Sequence, residues 1–217
     1  GLGDVYKRQV KDGMKEALEN FVKNGGILIT TFMSGIVGQS DNVYLGGYPG
    51  PLREMAGVWV EEIDALAPEQ KNKAKFADGS IAACGLLCDL MHLEGAKALA
   101  SYEEDFYAGM PAASKNTYGK GTTYYIATQF EEEGLAKILD QAVQEAGVSS
   151  VIPEETGLEV VTRVSDTTRF YFVMNFTDEE QILPESLTGK KDMISQKMTE
   201  HGMKLKKWDV LLLEEHL

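Results

Sequence analysis

Apolar positions along this chain change their spacing repeatedly, and each change marks an element. Val10, Met14, Ala17, Leu18, Phe21 and Val22 fall at helical spacing, and Asn24-Gly25 stops the run. Residues 27–32 form a short apolar run entered through Gly25-Gly26, which predicts a buried strand. Residues 34–53, SGIVGQSDNVYLGGYPGPLR, are so rich in Gly, Pro, Asn and Asp that they predict a long loop. Residues 58–63 read as the next strand and residues 68–79 as a loop or an exposed hairpin. Residues 86–93, LLCDLMHL, are apolar at helical spacing and predict a short helix. Strands are predicted next at 96–102 and 112–116, with a turn at 106–111 between them. Tyr118-Gly119-Lys120-Gly121 is a tight connection into the β-forming run 122–128. Residues 131–147 predict an amphipathic helix with Leu135, Ile138, Leu139, Ala142, Val143 and Ala146 on one face.

Helices interleaved with strands predict an α/β layer structure with a largely parallel sheet over residues 10–150. The composition then shifts. Residues 149–157 carry Pro153 and a run of turn and acidic residues, which suits a boundary. Short strands are predicted at 158–164, 170–176, 181–183, 203–205 and 208–213, so residues 151–217 read as a small antiparallel β domain. Residues 1–9, GLGDVYKRQ, share no pattern with the rest of the chain and read as a non-native leader.

Composition narrows the function classes. The chain of 217 residues is 43% hydrophobic and has a net charge of −13. Nucleic acids and anionic membrane surfaces both require a basic patch, so neither is an expected partner. No apolar run approaches the roughly 20 residues of a membrane span. Two cysteines make no disulfide framework, and a reduced, cytoplasmic setting is expected.

The chemistry-bearing residue types gather in few places. Glycoside hydrolysis needs two facing carboxyl groups about 5 to 10 Å apart. Glu61-Glu62 and Glu103-Glu104-Asp105 are adjacent in sequence, and neighbours on a strand point to opposite faces, so both read as solvated charge. Cys84, Cys88 and His92 could share one helical face, but three ligands on one helix wrap poorly around a tetrahedral metal ion. Core packing is the better reading for the cysteines. Ser34-Gly35 and Cys84-Gly85 each echo a nucleophile elbow, without the full motif or a partner histidine motif. Tyr44, Leu45, Tyr48, Leu52 and Arg53 mix aromatic, aliphatic and guanidinium groups in one loop, the composition that contact patches favour.

Longer motifs carry a resemblance. SGIV, LGGYPGPLR, GVWVEEIDAL and EGAKALASYEEDFYAGMPAASKNTYGKGTTYYIAT occur in that order. They resemble the trimerisation domain of glycoside hydrolase family 42 β-galactosidases, and the chain after Gly157 resembles that family's small C-terminal β domain. One departure is visible: Gly38 and Gln39 stand where the family usually has acidic residues after SGIV. The resemblance implies a flavodoxin- or class I glutamine amidotransferase-like layered α/β domain followed by the β domain. It implies a homotrimer, and a parent enzyme that hydrolyses terminal β-D-galactosides through two glutamates on a preceding (β/α)8 barrel. No catalytic residue, metal or cofactor is then expected in this chain. The expected contact or active-site-wall residues are Tyr44, Tyr48, Pro49, Leu52 and Arg53, with Tyr107 and Asn116 second. Two rivals remain: a carbohydrate-binding module, and an amidase of the glutamine amidotransferase type using Cys84.

Overall fold

A computed structural model describes residues 8–217. The chain divides into two compact units, Gly1–Val148 and Ser149–Leu217. Most of the expected leader, residues 1–7, lies outside the described residues. The Arg8 carbonyl accepts hydrogen bonds from the backbone N–H groups of Ile36 and Val37, and Gln9 bridges Val37.

The first unit is built on one eight-stranded sheet, not on a parallel sheet between helical layers. Its elements are α1 (Met14–Lys23), β1 (Ile27–Thr31), a short α2 (Arg53–Ala56), β2 (Val58–Ala65), β3 (Asn72–Phe76), β4 (Ile81–Leu93), β5 (Lys97–Tyr102), β6 (Pro111–Tyr118), β7 (Gly121–Ile126), β8 (Thr128–Phe130) and α3 (Glu132–Glu145). The strand order is β1-β7-β6-β5-β3-β4-β2, with β8 paired to β4. Only β1 and β7 pair in parallel; every other pairing of this sheet is antiparallel. The flavodoxin-like, class I glutamine amidotransferase-like expectation is therefore overturned.

Two segments account for the difference. The expected helix at 86–93 is the second half of β4. An unbroken apolar run fits a buried helix and a strand buried on both faces equally well. Here Cys88, Asp89, Leu90 and Met91 are consecutive and all buried, so both faces of this strand are covered. The expected loop or exposed hairpin at 68–79 contains β3, which lies between β5 and β4. Its lysines disguise a strict alternation, with Asn72, Ala74 and Phe76 buried and Lys73 and Lys75 exposed. Losing one helix and gaining one strand removes the alternation on which a parallel sheet rests.

β4 is long because it serves two partners. Residues 81–84 pair with β3, and residues 87–93 pair with β2. Between them Leu86 takes a left-handed conformation and the register with β8 shifts. The core of this unit centres on Tyr102, Tyr107, Tyr124, Ile126 and Ile138. Only part of the expected apolar face of α3 is covered: Ile138 and Ala142 are buried, while Leu135, Leu139 and Val143 remain exposed.

The C-terminal end of α3 is fixed by one carboxylate. Glu145 accepts hydrogen bonds from the Thr122 hydroxyl at 2.5 Å and the Tyr124 hydroxyl at 2.6 Å, and Lys115 lies at 2.7 Å. Burial raises its pKa, but the three donors outweigh that and hold it at about 2, below the ordinary 4.5. A depressed folded pKa stabilises the fold above pH 4.5, and the contribution fades as pH falls toward 2. Glu145→Gln should therefore cost about 1–2 kcal/mol at pH 7, allowing for partial exposure. Urea melts of both proteins should converge as the pH is lowered through that window; a gap that stays constant would refute the assignment.

The second unit carries β9 (Glu159–Val164), β10 (Thr168–Met174), β11 (Gln181–Ile182), β12 (Lys191–Asp192), β13 (Lys204–Leu205) and β14 (Val210–His216). Four strands form an antiparallel sheet in the order β12-β14-β10-β9, and β11 pairs with β13. Its separate core contains Ile152, Leu158, Tyr171, Val173, Leu183, Leu187, Leu205, Leu211 and Leu213.

Candidate functional site

The loop over residues 34–53 is compact and tied down at both ends. The Thr30 hydroxyl donates to Ser34 Oγ at 2.8 Å, and Tyr44 N–H donates to the Ile36 carbonyl at 2.9 Å. Gly35 has φ +64°, and a Cβ there would stand 2.1 Å from the Pro49 carbonyl oxygen, so the two arms of the loop touch backbone to backbone. Tyr48 exchanges two backbone hydrogen bonds with Val60, at 3.1 and 2.8 Å, and so extends the sheet beyond its edge strand β2.

This packing presents a file of side chains along β2 and β4. Trp59 and His92 are directly opposite in the register, and their rings stack with centres 4.9 Å apart. His92 Nε2 lies 2.9 Å from Glu61 Oε2. The Trp59 indole N–H donates to the Gly46 carbonyl at 2.9 Å, and Gly47 leaves room for it. Arg53 stacks over Trp59 at 5.4 Å, donates to the Gly46 carbonyl at 3.1 Å, and grips Glu94 with two donors, one of them at 2.5 Å. The Arg53 guanidinium holds the Glu94 carboxyl below the usual carboxylate range. Val43 and Leu45 of the same loop are exposed, the latter 97%.

The residues singled out from sequence separate into three groups. Arg53 belongs to the file, partly exposed and stacked over Trp59. Tyr44, Tyr48, Pro49 and Leu52 are buried or half-buried and build the loop from within; Tyr44 Oη donates to the Val10 carbonyl at 3.4 Å. Asn116 joins them as a clamp, its amide donating to the Met55 carbonyl at 3.0 Å. Tyr107 lies elsewhere. It is buried beside Tyr102, and its hydroxyl donates to Asp64 near the far end of β2 at 3.1 Å. Trp59, His92 and Glu61 are not among the contact residues expected from sequence, whereas Leu45 belongs to the contact-type composition read in the loop. The alternation Val58-Trp59-Val60 places Trp59 outward once β2 is accepted as a strand, so that signal is present.

The amidase reading has no site. Cys84 is fully buried, and burial together with the neighbouring Cys88 pushes its thiol up to about 12. Cys88 contacts the Thr128 hydroxyl at 3.5 Å, whereas His92 faces outward on Trp59 and Glu61, so the three do not converge.

Comparison with known proteins agrees with this architecture. The family model described as "Beta-galactosidase trimerisation domain" matches residues 8–149, and "Beta-galactosidase C-terminal domain" matches residues 157–215. The chain is 45% identical over 205 residues to the β-galactosidase LacA of Lactobacillus acidophilus, covering 94% of this chain and 30% of that protein. It is 40% identical to the β-galactosidase BgaA of a Planococcus species, over 94% of this chain and 31% of that one. The solved β-galactosidase from Bacillus circulans superimposes with a TM-score of 0.87 at 36% identity, over 97% of this chain and 32% of that one. The chain thus spans about three-tenths of the length of the relatives it matches.

Proposed function

This chain belongs to glycoside hydrolase family 42, the β-galactosidases, and from that premise we propose that it is the assembly-forming part of a trimeric enzyme. The parent protein hydrolyses terminal non-reducing β-D-galactose residues through a catalytic barrel outside this chain. The assembly-forming part is itself non-catalytic. Its partners are two further copies of itself, and the galactoside meets the barrel. The setting is the bacterial cytoplasm, which suits the two free cysteines. Among the described residues no helix is long and apolar enough to cross a membrane.

The observation that carries the assembly reading is the partly exposed file Glu94–Arg53–Trp59–His92–Glu61, with the exposed Leu45 in the same loop as Arg53. Trp and Arg dominate the residues whose loss most weakens interfaces, and here both are held in fixed rotamers by neighbours. Leu45 at a loop tip gains nothing inside its own chain. Tyr44, Tyr48, Pro49, Leu52 and Asn116 support this surface rather than form it, and Tyr107 stands outside it.

Light scattering tests the reading. The chain should have the mass of three copies of 23.9 kDa. Arg53→Glu places a carboxylate beside Glu94 and should shift the mass to that of one copy, with the melting profile of the monomer otherwise retained. A trimer that survives the change removes the file from the interface. A wild-type monomer removes the assembly function from this part of the protein.

A further inference from the structure

The C-terminal unit displays two aromatic rings that its own core does not use. Trp208 is 64% exposed and Phe176 is 51% exposed, and they meet edge to face with ring centres 5.8 Å apart. Both are mounted on a rigid frame. Asn175, fully buried, donates through its side-chain amide to the carbonyls of Glu179 and Leu205 at 2.8 and 2.9 Å. Its Oδ1 accepts from the Thr177 N–H at 2.9 Å and the Thr177 hydroxyl at 2.7 Å. Its backbone accepts from the Trp208 N–H at 2.8 Å and donates to the Asp209 carbonyl at 3.1 Å. The two loops that carry the rings are thereby locked together.

The frame also holds Trp208 at φ +70°, a left-handed conformation that a bulky residue rarely adopts. A strained backbone that delivers a ring to solvent instead of to the core points to a role outside the fold. The surroundings say what that role is. Asp178, Glu179 and Glu180 follow Phe176, and Lys206, Lys207 and Asp209 flank Trp208. Lys207 is paired with Asp178, and its ammonium lies 5.1 Å from the Trp208 ring centre. Two rings inside a charged border are about the footprint of one sugar and far short of the roughly 800 Å² per partner of a standard protein interface. A pyranose has a face of C–H groups, slightly positive, that the negative face of an aromatic ring attracts. Its hydroxyls donate to a carboxylate and accept from an ammonium. β-Galactosides have such a face, where the C3, C4 and C5 hydrogens lie on one side of the ring.

We propose that Phe176 and Trp208 form a carbohydrate-stacking platform on the C-terminal unit, with Asp178 and Lys207 meeting the sugar hydroxyls. The ligand class is a galactoside or galacto-oligosaccharide. The platform is independent of the trimer reading, because no residue is shared between the two.

Nuclear magnetic resonance of the full chain tests it. The two tryptophans give two indole N–H signals. Trp208→Asn identifies one of them, and asparagine tolerates the left-handed conformation. Titration with lactose and with a β-1,4-galactotetraose should move the Trp208 signal saturably, with a dissociation constant on the order of 1–10 mM, and leave Trp59 in place. Phe176→Ala should weaken binding several-fold without changing the spectrum of the rest of the unit. No saturable shift, or a shift unaltered by Phe176→Ala, would overturn the proposal. So would a change of assembly mass in Trp208→Asn, since the face would then be covered by protein.

Discussion

Leu213→Ala should lower the melting temperature of the C-terminal unit by roughly 10 °C or more, while leaving the first unit folded. Leu213 lies on β14 opposite Tyr171 of β10 and is fully buried in the small core of residues 149–217. Deleting a buried leucine side chain costs about 2–5 kcal/mol, through lost transfer energy and the cavity left behind. A unit of this size has little in reserve, because small cores bury a smaller share of their surface. For a domain of 60–100 residues each 1 kcal/mol moves the melting temperature by about 4–8 °C, so the expected fall is roughly 10 °C or more. Calorimetry on the whole chain should show that part of the heat absorption moving down. A shift of less than about 4 °C would mean that the core closes over the gap, contrary to its packing.

The legible parts of the sequence are those where one face is wet. Residues 170–176 and 208–213 alternate because each strand has a solvent side, and the structure has strands at Thr168–Met174 and Val210–His216. The hairpin at Gly119-Lys120 announces itself through glycine, and residues 132–145 through charge at the helix start. The illegible parts are buried on both sides or disguised. Residues 86–93 carry no alternation because residues 88–91 are buried on both faces of the sheet, so nothing local distinguishes strand from helix. β3 has lysines on its exposed face and only Ala74 and Phe76 as apolar anchors, so its central position depends on pairings with β4 and β5 that no local window contains. Those two segments alone are enough to turn a mixed, mostly antiparallel sheet into an apparent layered α/β fold.

The site is half legible for a related reason. Turn residues locate the loop over 34–53, and its aromatics suggest contact. Composition does not say which aromatics point outward, however. Tyr44 and Leu52 pack into a core with Val10, Val22 and Met55, and Trp59 on the neighbouring strand is half-buried, stacked on His92 and beneath Arg53. The stack of Trp59 on His92 joins residues from strands far apart in sequence, so only the register of β2 on β4 could reveal it.

Gly35→Val should destroy the partly exposed file without touching any of its members. Two costs coincide at Gly35. A β-branched residue at φ +64° is strained by about 1–2 kcal/mol. The new Cβ would also fall 2.1 Å from the Pro49 carbonyl oxygen, a backbone atom that cannot swing aside. The arm bearing Pro49 must therefore move away, for a total cost of about 3 kcal/mol or more. That arm continues into Arg53, and its neighbour Tyr48 holds the loop to Val60. Displacing it loosens the carbonyl of Gly46 on which both Trp59 and Arg53 rest. The expected result is a less stable chain whose Trp59 fluorescence shifts toward that of a solvated indole and which no longer self-associates. Gly46→Ala is the informative control, since its Cβ meets nothing within 4 Å although its φ of +95° is equally unfavourable. If both variants lose the assembly to the same degree, backbone strain alone is responsible; if only Gly35→Val does, the contact between the two arms is what shapes the surface.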